Sequence, residues 1–97
     1  MSAVNTGLDL DRAWRVHPQV SVRPEPFGAL LYHFGTRKLS FLKDRTLLAL
    51  VEALATAPSA RAACAAAGVD AEDVPRYGRA LAALAQSSML VERTPPP

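Results

Sequence analysis

The side chains that could ligate a metal or act as nucleophiles are few and far apart in this sequence. His17, His33 and Cys64 are its only imidazole and thiol groups. They fall in three separate segments, and no two of them have the close spacing of a zinc site. No serine or cysteine has a plausible base beside it, and no glycine-rich phosphate loop is present. The sequence therefore predicts no catalytic residue, no metal site and no cofactor, and a protein that is not an enzyme.

Structural roles account for the remaining reactive groups. Cys64 stands in an alanine run, which favours a small buried hydrophobe over a reactive thiol. His33 follows an aromatic residue in an apolar run, which favours a structural or surface histidine over a general base. The carboxylates are scattered over predicted helix starts and helix faces, where capping explains them.

Composition indicates one soluble domain. The chain has 97 residues, of which 49% are hydrophobic and 21% charged, an ordinary balance for a protein with its own core. A single cysteine cannot form an internal disulfide, and neither a signal peptide nor an apolar run of membrane-spanning length is evident. We expect a cytoplasmic protein with no membrane partner.

The charge of the chain is too small to indicate a nucleic-acid partner. The formal net charge is +2. Residues 1–45 carry seven Lys/Arg against four Asp/Glu, and residues 46–97 carry four against five. The mild basic excess therefore lies in the first half of the chain.

The first half predicts three short strands. Residues 1–13 have no sustained periodicity and are expected to form a partly mobile arm. Val20 and Val22 alternate with polar residues, which predicts a strand of about four residues among interrupting prolines. The runs "ALLYHF" and "LSFL" then form a hairpin. Its link, "GTRK", contains Gly35, which is free to take a positive φ.

The second half predicts three helices. Asp44 can cap a helix that ends before Pro58, and its apolar positions form a broad stripe: Leu47, Leu48, Leu50, Val51 and Leu54. Ser59 can cap an alanine-rich helix stopped by Gly68. Asp70 or Asp73 can cap the third helix, and proline in the first turn favours Asp73. The inward face of that helix is Val74, Tyr77, Leu81 and Leu84.

These elements predict a small α+β domain of winged-helix kind, with a three-stranded antiparallel sheet followed by three helices. The domain spans residues 14–93, its "MLVER" segment returns to the core, and residues 94–97 form a proline tail. We expect a monomer.

A winged-helix DNA-binding transcription factor is the alternative. The segment from Pro58 to Leu84 has the pattern of a helix-turn-helix with Gly68 in the turn. The candidate recognition helix nevertheless opens with Asp70, Glu72 and Asp73, where a DNA-reading helix normally carries basic and amide side chains. Only Arg76 and Arg79 oppose that charge, so we expect no nucleic-acid partner.

A family resemblance points to a different function. The run "WRVHPQVSVRPEPFGALLYHFGTRKLSFL", followed by three helices, resembles the mycofactocin-system peptide chaperones (MftB type). These belong to the PqqD-like family of RiPP recognition elements, and the resemblance covers Trp14 to Arg93. It implies a non-catalytic peptide chaperone that binds the leader of a ribosomally made precursor peptide and presents it to a radical SAM maturase. The end of the first helix, "ALATAPSA", lacks the "Asp-Gly" often found there in PqqD-like domains.

The resemblance also implies where the leader binds. Carried onto this sequence, the leader would lie as an added strand beside Lys38–Leu42, in a cleft bordered by a helix from about Val74 to Ser88. Apolar candidates for side-chain pockets are Leu39, Phe41, Tyr77, Ala80, Leu81 and Leu84, all of which could instead be plain core, the interpretation that is favoured for Phe41 and Leu81. The backbone of Lys38–Leu42, which includes the candidates Ser40 and Leu42, would pair with the leader, and the direction of the Ser40 amide is left open. Candidates to attract acidic leader residues are Arg37, Lys38, Arg76 and Arg79, each of which could instead be a solvated surface charge.

Overall fold

The structure, a computed structural model, describes residues 8–93. It contains a three-stranded and a two-stranded antiparallel sheet with three α-helices. The predicted arm and proline tail extend into residues 1–7 and 94–97, which lie outside the described residues. The strands are β1 (Trp14–Val16), β2 (Val20–Glu25), β3 (Gly28–His33), β4 (Leu39–Leu42) and β5 (Leu90–Glu92). The helices are α1 (Arg45–Ala53), α2 (Ala60–Ala66) and α3 (Val74–Gln86).

The predicted three-stranded antiparallel sheet is confirmed, with strand order β2-β3-β4. Its first strand runs two residues further than expected because Pro24 does not end it. Phe34 N donates to Gln19 O at 2.8 Å. Since hydrogen-bonded and non-bonded pairs alternate along an antiparallel ladder, the pair Pro24–Ala29 falls at a non-bonded position. Proline lacks only a donor that would have faced solvent, so the edge strand continues to Glu25.

A second sheet, which the sequence analysis did not predict, joins the two ends of the described chain. Strand β1 pairs with β5, with Arg15 opposite Val91. Backbone bonds extend this ribbon at both ends, from His17 N to Met89 O and from Arg93 N to Ala13 O, each 2.9 Å. Strands of three residues carry too little alternation to be recognised. The predicted return of "MLVER" to the core is confirmed, because Met89 and Leu90 are buried.

The predicted helix caps are confirmed for α1 and α2 and differ for α3. Asp44 Oδ1 accepts from Thr46 N at 2.7 Å, and Ser59 Oγ accepts from Ala62 N at 3.1 Å. Gly68 follows α2 with a φ of 82°. Asp73 occupies the position before α3, but its side chain forms no capping bond there. The reason is a 3-10 turn over Ala71–Asp73 that leads directly into the helix, so Asp73 already has helical dihedrals.

The core lies between the sheets and the helices. Leu31 of β3, Leu50 of α1 and Leu81 of α3 are completely buried. Cys64 of α2 is also buried, as the alanine run predicted, and burial raises the pKa of its thiol. Within residues 8–93, no helix combines the length and the apolar character needed to cross a membrane.

The link between β3 and β4 differs from the sequence prediction. The residue with a positive φ is Arg37, at 63°, and not Gly35. His33 Nδ1 accepts from Gly35 N at 3.0 Å and from Thr36 N at 3.1 Å, which winds the link around the buried imidazole. The chain reverses only afterwards, where Arg37 N donates to His33 O at 2.7 Å. Glycine is required at 35 for space, because a Cβ there would lie 2.9 Å from His33 Cε1.

Candidate functional site

Strand β4 forms an open edge of the three-stranded sheet. His33 N donates to Lys38 O at 2.9 Å, which makes His33 and Lys38 a hydrogen-bonded pair. Bonded and non-bonded pairs alternate along an antiparallel ladder. Ser40 and Leu31 are therefore also a hydrogen-bonded pair, whereas Leu39 and Phe41 occupy non-bonded positions. The N–H and C=O groups of Leu39 and Phe41 therefore face away from β3. No strand within residues 8–93 pairs with this edge, so two donors and two acceptors are available to another strand.

A groove of about 380 Å³ lies along this edge, between β4 and α3. Leu84 of α3 and Leu47 of α1 are buried beneath it, and Ala80 and Ala83 leave room between the helix and the strand. The small alanine side chains are the reason that the groove is open. An extended backbone beside β4 would direct half of its side chains into this space.

The side chains of Leu39 and Phe41 lie on the other face of the sheet. Their opposite neighbours on β3 are Tyr32 and Leu30, whereas Ser40 and Leu42 stand opposite the buried residues Leu31 and Ala29. Leu39 is 54% exposed and Phe41 is 58% exposed. The possibility that Phe41 is plain core is therefore excluded. Leu81, for which plain core was also the favoured interpretation, is completely buried and is therefore a core residue.

The predicted binding residues fall into three groups. Those that border the groove are Leu39, Ser40, Phe41, Leu42, Ala80 and Leu84; Leu39 and Phe41 reach it along the strand edge, because their side chains lie on the other face. Tyr77 and Leu81 are buried in the core below the lining. The exposed cations Arg37, Lys38, Arg76 and Arg79 lie outside the lining.

Four residues of the lining were missed in the sequence: Lys43, Leu47, Ala83 and Ser87. For α3 a signal was available. Ala80, Ala83, Leu84 and Ser87 follow one helical stripe at spacings of three, four and seven. No comparable sequence signal pointed to Leu47 as a lining residue. It belongs to the apolar stripe of α1, and that stripe is explained equally well by burial in the core.

A hydrogen bond holds α3 against the start of α1. The hydroxyl of Tyr77 donates to Asp44 Oδ2, while Oδ1 of the same carboxylate caps α1. The bond from Tyr77 lowers the pKa of Asp44. The same bond raises the pKa of Tyr77. Arg76 covers the Tyr77 ring, with its guanidinium carbon 4.7 Å from the ring centroid. The bond joins the first turn of α3 to the cap of α1.

Positive charge flanks the open edge. Arg37 and Lys38 precede β4 and Lys43 follows it, and all three are exposed. Among the described residues none of the three forms a salt bridge. Arg76 does, at 3.8 Å from Asp73. Arg79 of α3 likewise forms no salt bridge with a described residue, so the unpaired cations near the groove are Arg79 and the three at the ends of the strand.

The described part of the chain contains no cluster of His, Cys, Asp and Glu that could hold a metal ion. The acidic residues expected at the start of the third helix are there, and Asp70 and Glu72 are exposed. A negative potential at that end disfavours contact with phosphates.

Comparisons with known proteins agree on one family. Residues 13–91 match the model of the peptide chaperone MftB family. Over 91 residues the chain is 64% identical to the "Peptide chaperone MftB" of Mycobacterium tuberculosis, which covers 94% of this chain and 84% of that protein. It is 66% identical over 84 residues to the Mycobacterium ulcerans protein of the same name, covering 87% and 77%. The Mycolicibacterium smegmatis protein is 60% identical over 88 residues, covering 91% and 86%. A search of the solved structures finds no match.

Proposed function

Because this chain belongs to the peptide chaperone MftB family, we propose that it binds the leader of the mycofactocin precursor peptide and presents it to a radical SAM maturase. The leader adds to the sheet as a strand beside β4. The chaperone itself performs no catalysis. Its role is to hold one segment of a flexible peptide in an extended conformation while the enzyme acts on another.

The observation that carries this proposal is the combination of an unpaired strand edge with a groove beside it. Native proteins usually cover or blunt such edges, because free backbone groups pair with foreign strands. Leu39 and Phe41 leave their backbone groups free, and Ala80 and Ala83 keep the adjacent space open. An extended peptide satisfies both features at once.

Backbone pairing alone is too weak for this role. Four hydrogen bonds at about 1 kcal/mol each supply about 4 kcal/mol. Ordering a flexible leader costs about 2–5 kcal/mol, so the two contributions nearly cancel. Micromolar affinity requires about 8 kcal/mol. Side-chain burial along the groove must therefore supply most of the binding free energy, and apolar leader residues facing Leu47 and Leu84 are the natural source.

The charges at the ends of β4 set the orientation and the salt dependence of binding. Arg37 and Lys38 at one end, and Lys43 at the other, attract acidic residues that flank the paired leader segment. Exposed pairs contribute at most about 1 kcal/mol each, so salt weakens binding moderately.

Peptide titration combined with residue-resolved amide exchange tests the proposal. A synthetic peptide with the sequence of the mycofactocin precursor leader should bind with micromolar or tighter affinity, and random duplex DNA should not. The bound peptide should slow exchange at the amides of Leu39 and Phe41. The Ser40 amide is an internal control, since β3 already protects it. Equal protection throughout the chain, protection confined to α2, or steeply salt-dependent DNA binding would contradict the proposal.

A further inference from the structure

The outer face of the three-stranded sheet, opposite the face that packs on the core, is apolar at β4 and polar along β2. Leu39 and Phe41 of β4 are exposed there, and Phe27 lies beside Phe41 with ring centroids 6.4 Å apart. On the far strand the outward positions are polar. The exposed Arg23 and the half-buried Glu25 of β2 form a salt bridge at 3.1 Å.

This asymmetry indicates where a binding partner lies. A partner that covered the whole face would meet the charges of β2, which would lose water without an evident counterpart. An occupant at the β4 edge meets Leu39, Phe41 and Phe27, with the half-buried Leu30 and Tyr32 of β3 behind them. The apolar part of the outer face therefore lies directly beside the unpaired edge of β4.

An added strand reaches both faces of the sheet. Successive side chains of a β-strand point to opposite sides, so a peptide paired with β4 directs only every second side chain into the groove. The alternate side chains must lie on the outer face, directly beside Leu39 and Phe41. If they were polar, those two exposed side chains would remain uncovered.

We propose that Leu39 and Phe41, with Phe27 beside them, form a second subsite for the leader, on the face of the sheet opposite the groove. The peptide segment that binds is therefore apolar at consecutive positions. One set of side chains enters the groove and the alternate set covers the outer face. This inference rests on the proposed strand addition and specifies the class of peptide that it selects: a segment apolar on both faces, in place of an alternating apolar and polar one.

Surface variants test the subsite without disturbing the core. Phe41→Ser and Leu39→Ser remove exposed side chains and leave the backbone groups of the edge in place. Each should weaken binding of the synthetic leader peptide by at least about fivefold, because apolar area that the peptide covers is lost. Phe34→Ser is the matched control. Phe34 is 61% exposed and lies in the link after β3, outside β4, so its removal should change the affinity less than twofold.

Peptide variants test the same inference with the wild-type protein. In one leader peptide the apolar residues of one alternate set are changed to serine, and in a second peptide those of the other set are changed. Both peptides should bind at least about fivefold more weakly than the unchanged leader. Weakening by only one of the two would show that a single face is read and would overturn the inference.

The outcomes also separate this inference from the proposed function. If Leu39→Pro weakens binding while Phe41→Ser and Leu39→Ser bind normally, strand addition stands and the second subsite is wrong. If Phe41→Ser binds the peptide normally but no longer binds the maturase, the outer face belongs to the enzyme and the inference is overturned. If the wild-type protein fails to bind the leader at all, the proposed function is lost, and this inference with it.

Discussion

At the scale of single residues, Asp44 links three parts of the fold. It stands between β4 and α1, caps α1 through one carboxylate oxygen and accepts the Tyr77 hydroxyl through the other. The strand that offers the open edge, the helix beneath the groove and the helix beside it therefore meet at one carboxylate. Hydrogen bonds to an ionised acceptor are stronger than neutral ones. The contact between α3 and the start of α1 thus includes a group that titrates.

Tyr77→Phe should lower the free energy of unfolding by about 1–2 kcal/mol near pH 7, since it removes a charge-assisted bond and leaves the cap on α1. The pH dependence identifies the bond. The folded pKa of Asp44 is lowered, so its contribution is present above the unfolded pKa of about 3.9 and is lost as pH falls through the folded value. The folded pKa of Tyr77 is raised. Its contribution is therefore complete below about pH 10 and is lost as pH rises through the folded value.

Urea unfolding at a series of pH values measures this effect. The wild-type protein should lose stability more steeply than Tyr77→Phe at both the acidic and the alkaline limb. Asp44→Asn is the matched control, because asparagine still caps a helix but cannot ionise. Its stability curve should lack the part of the acidic loss that comes from Asp44. Parallel curves for the wild-type protein and Tyr77→Phe would show that the hydroxyl contributes nothing specific.

At the scale of elements, β4 presents different groups on its two edges. Ser40 directs its backbone groups to β3, whereas Leu39 and Phe41 direct theirs to solvent. The same alternation places the Leu39 and Phe41 side chains on the outer face. Backbone pairing and outer-face contact are therefore supplied by the same two residues.

Leu39→Pro should preserve the fold and weaken leader binding more than Leu39→Ala does. Proline removes a donor that faces the open side, and alanine removes the side chain alone. The difference between the two variants, expected to be at least severalfold in the dissociation constant, isolates the backbone hydrogen bond. Ser40→Pro should instead unfold the hairpin, because the lost donor is bonded to β3. A folded Ser40→Pro protein, seen by circular dichroism, would mean that the assigned alternation is wrong.

At the scale of the whole molecule, the β1–β5 ribbon closes the domain. Arg93 follows β5, and its guanidinium donates to the carbonyl oxygens of Ala55, at 2.8 Å, and Ala57, just beyond α1. These carbonyls lie in a loop that has no helical partner for them. A single arginine thereby connects the end of the described chain to its middle.

Arg93→Ala should lower the free energy of unfolding by about 1–3 kcal/mol, because two carbonyl acceptors lose a charged donor. Arg23→Ala is the matched control. The side chain of Arg23 is 75% exposed in its salt bridge with Glu25, so its loss should cost less than about 1 kcal/mol. Urea unfolding of both variants measures the difference, and equal values would show that Arg93 is no more than another surface charge.

Interactions between residues that are close in the sequence determined much of the secondary structure of this protein. Polar caps, alternating valines and the alanine run are readable because each depends on residues a few positions apart. Asp44 and Ser59 cap the helices that the sequence assigned to them, and Cys64 is buried. The run "FGALLYHFGTRKLSFL" identified a hairpin and a family, and the hairpin is present as β3 and β4. The dispersal of the reactive groups predicts a protein without catalysis, and this stays a prediction.

Tertiary structure decided what depends on residues far apart in the chain. The β1–β5 ribbon pairs segments that are each too short to have a pattern. Arg37, and not Gly35, takes the positive φ because the buried His33 imidazole winds the link. Burial of Leu81 and exposure of Phe41 follow from which face each element presents to the others. Both residues are apolar, so their types alone could not distinguish core from surface. The direction of each backbone group on β4 likewise depends on its register with β3, which is a property of the pair of strands and of neither segment alone.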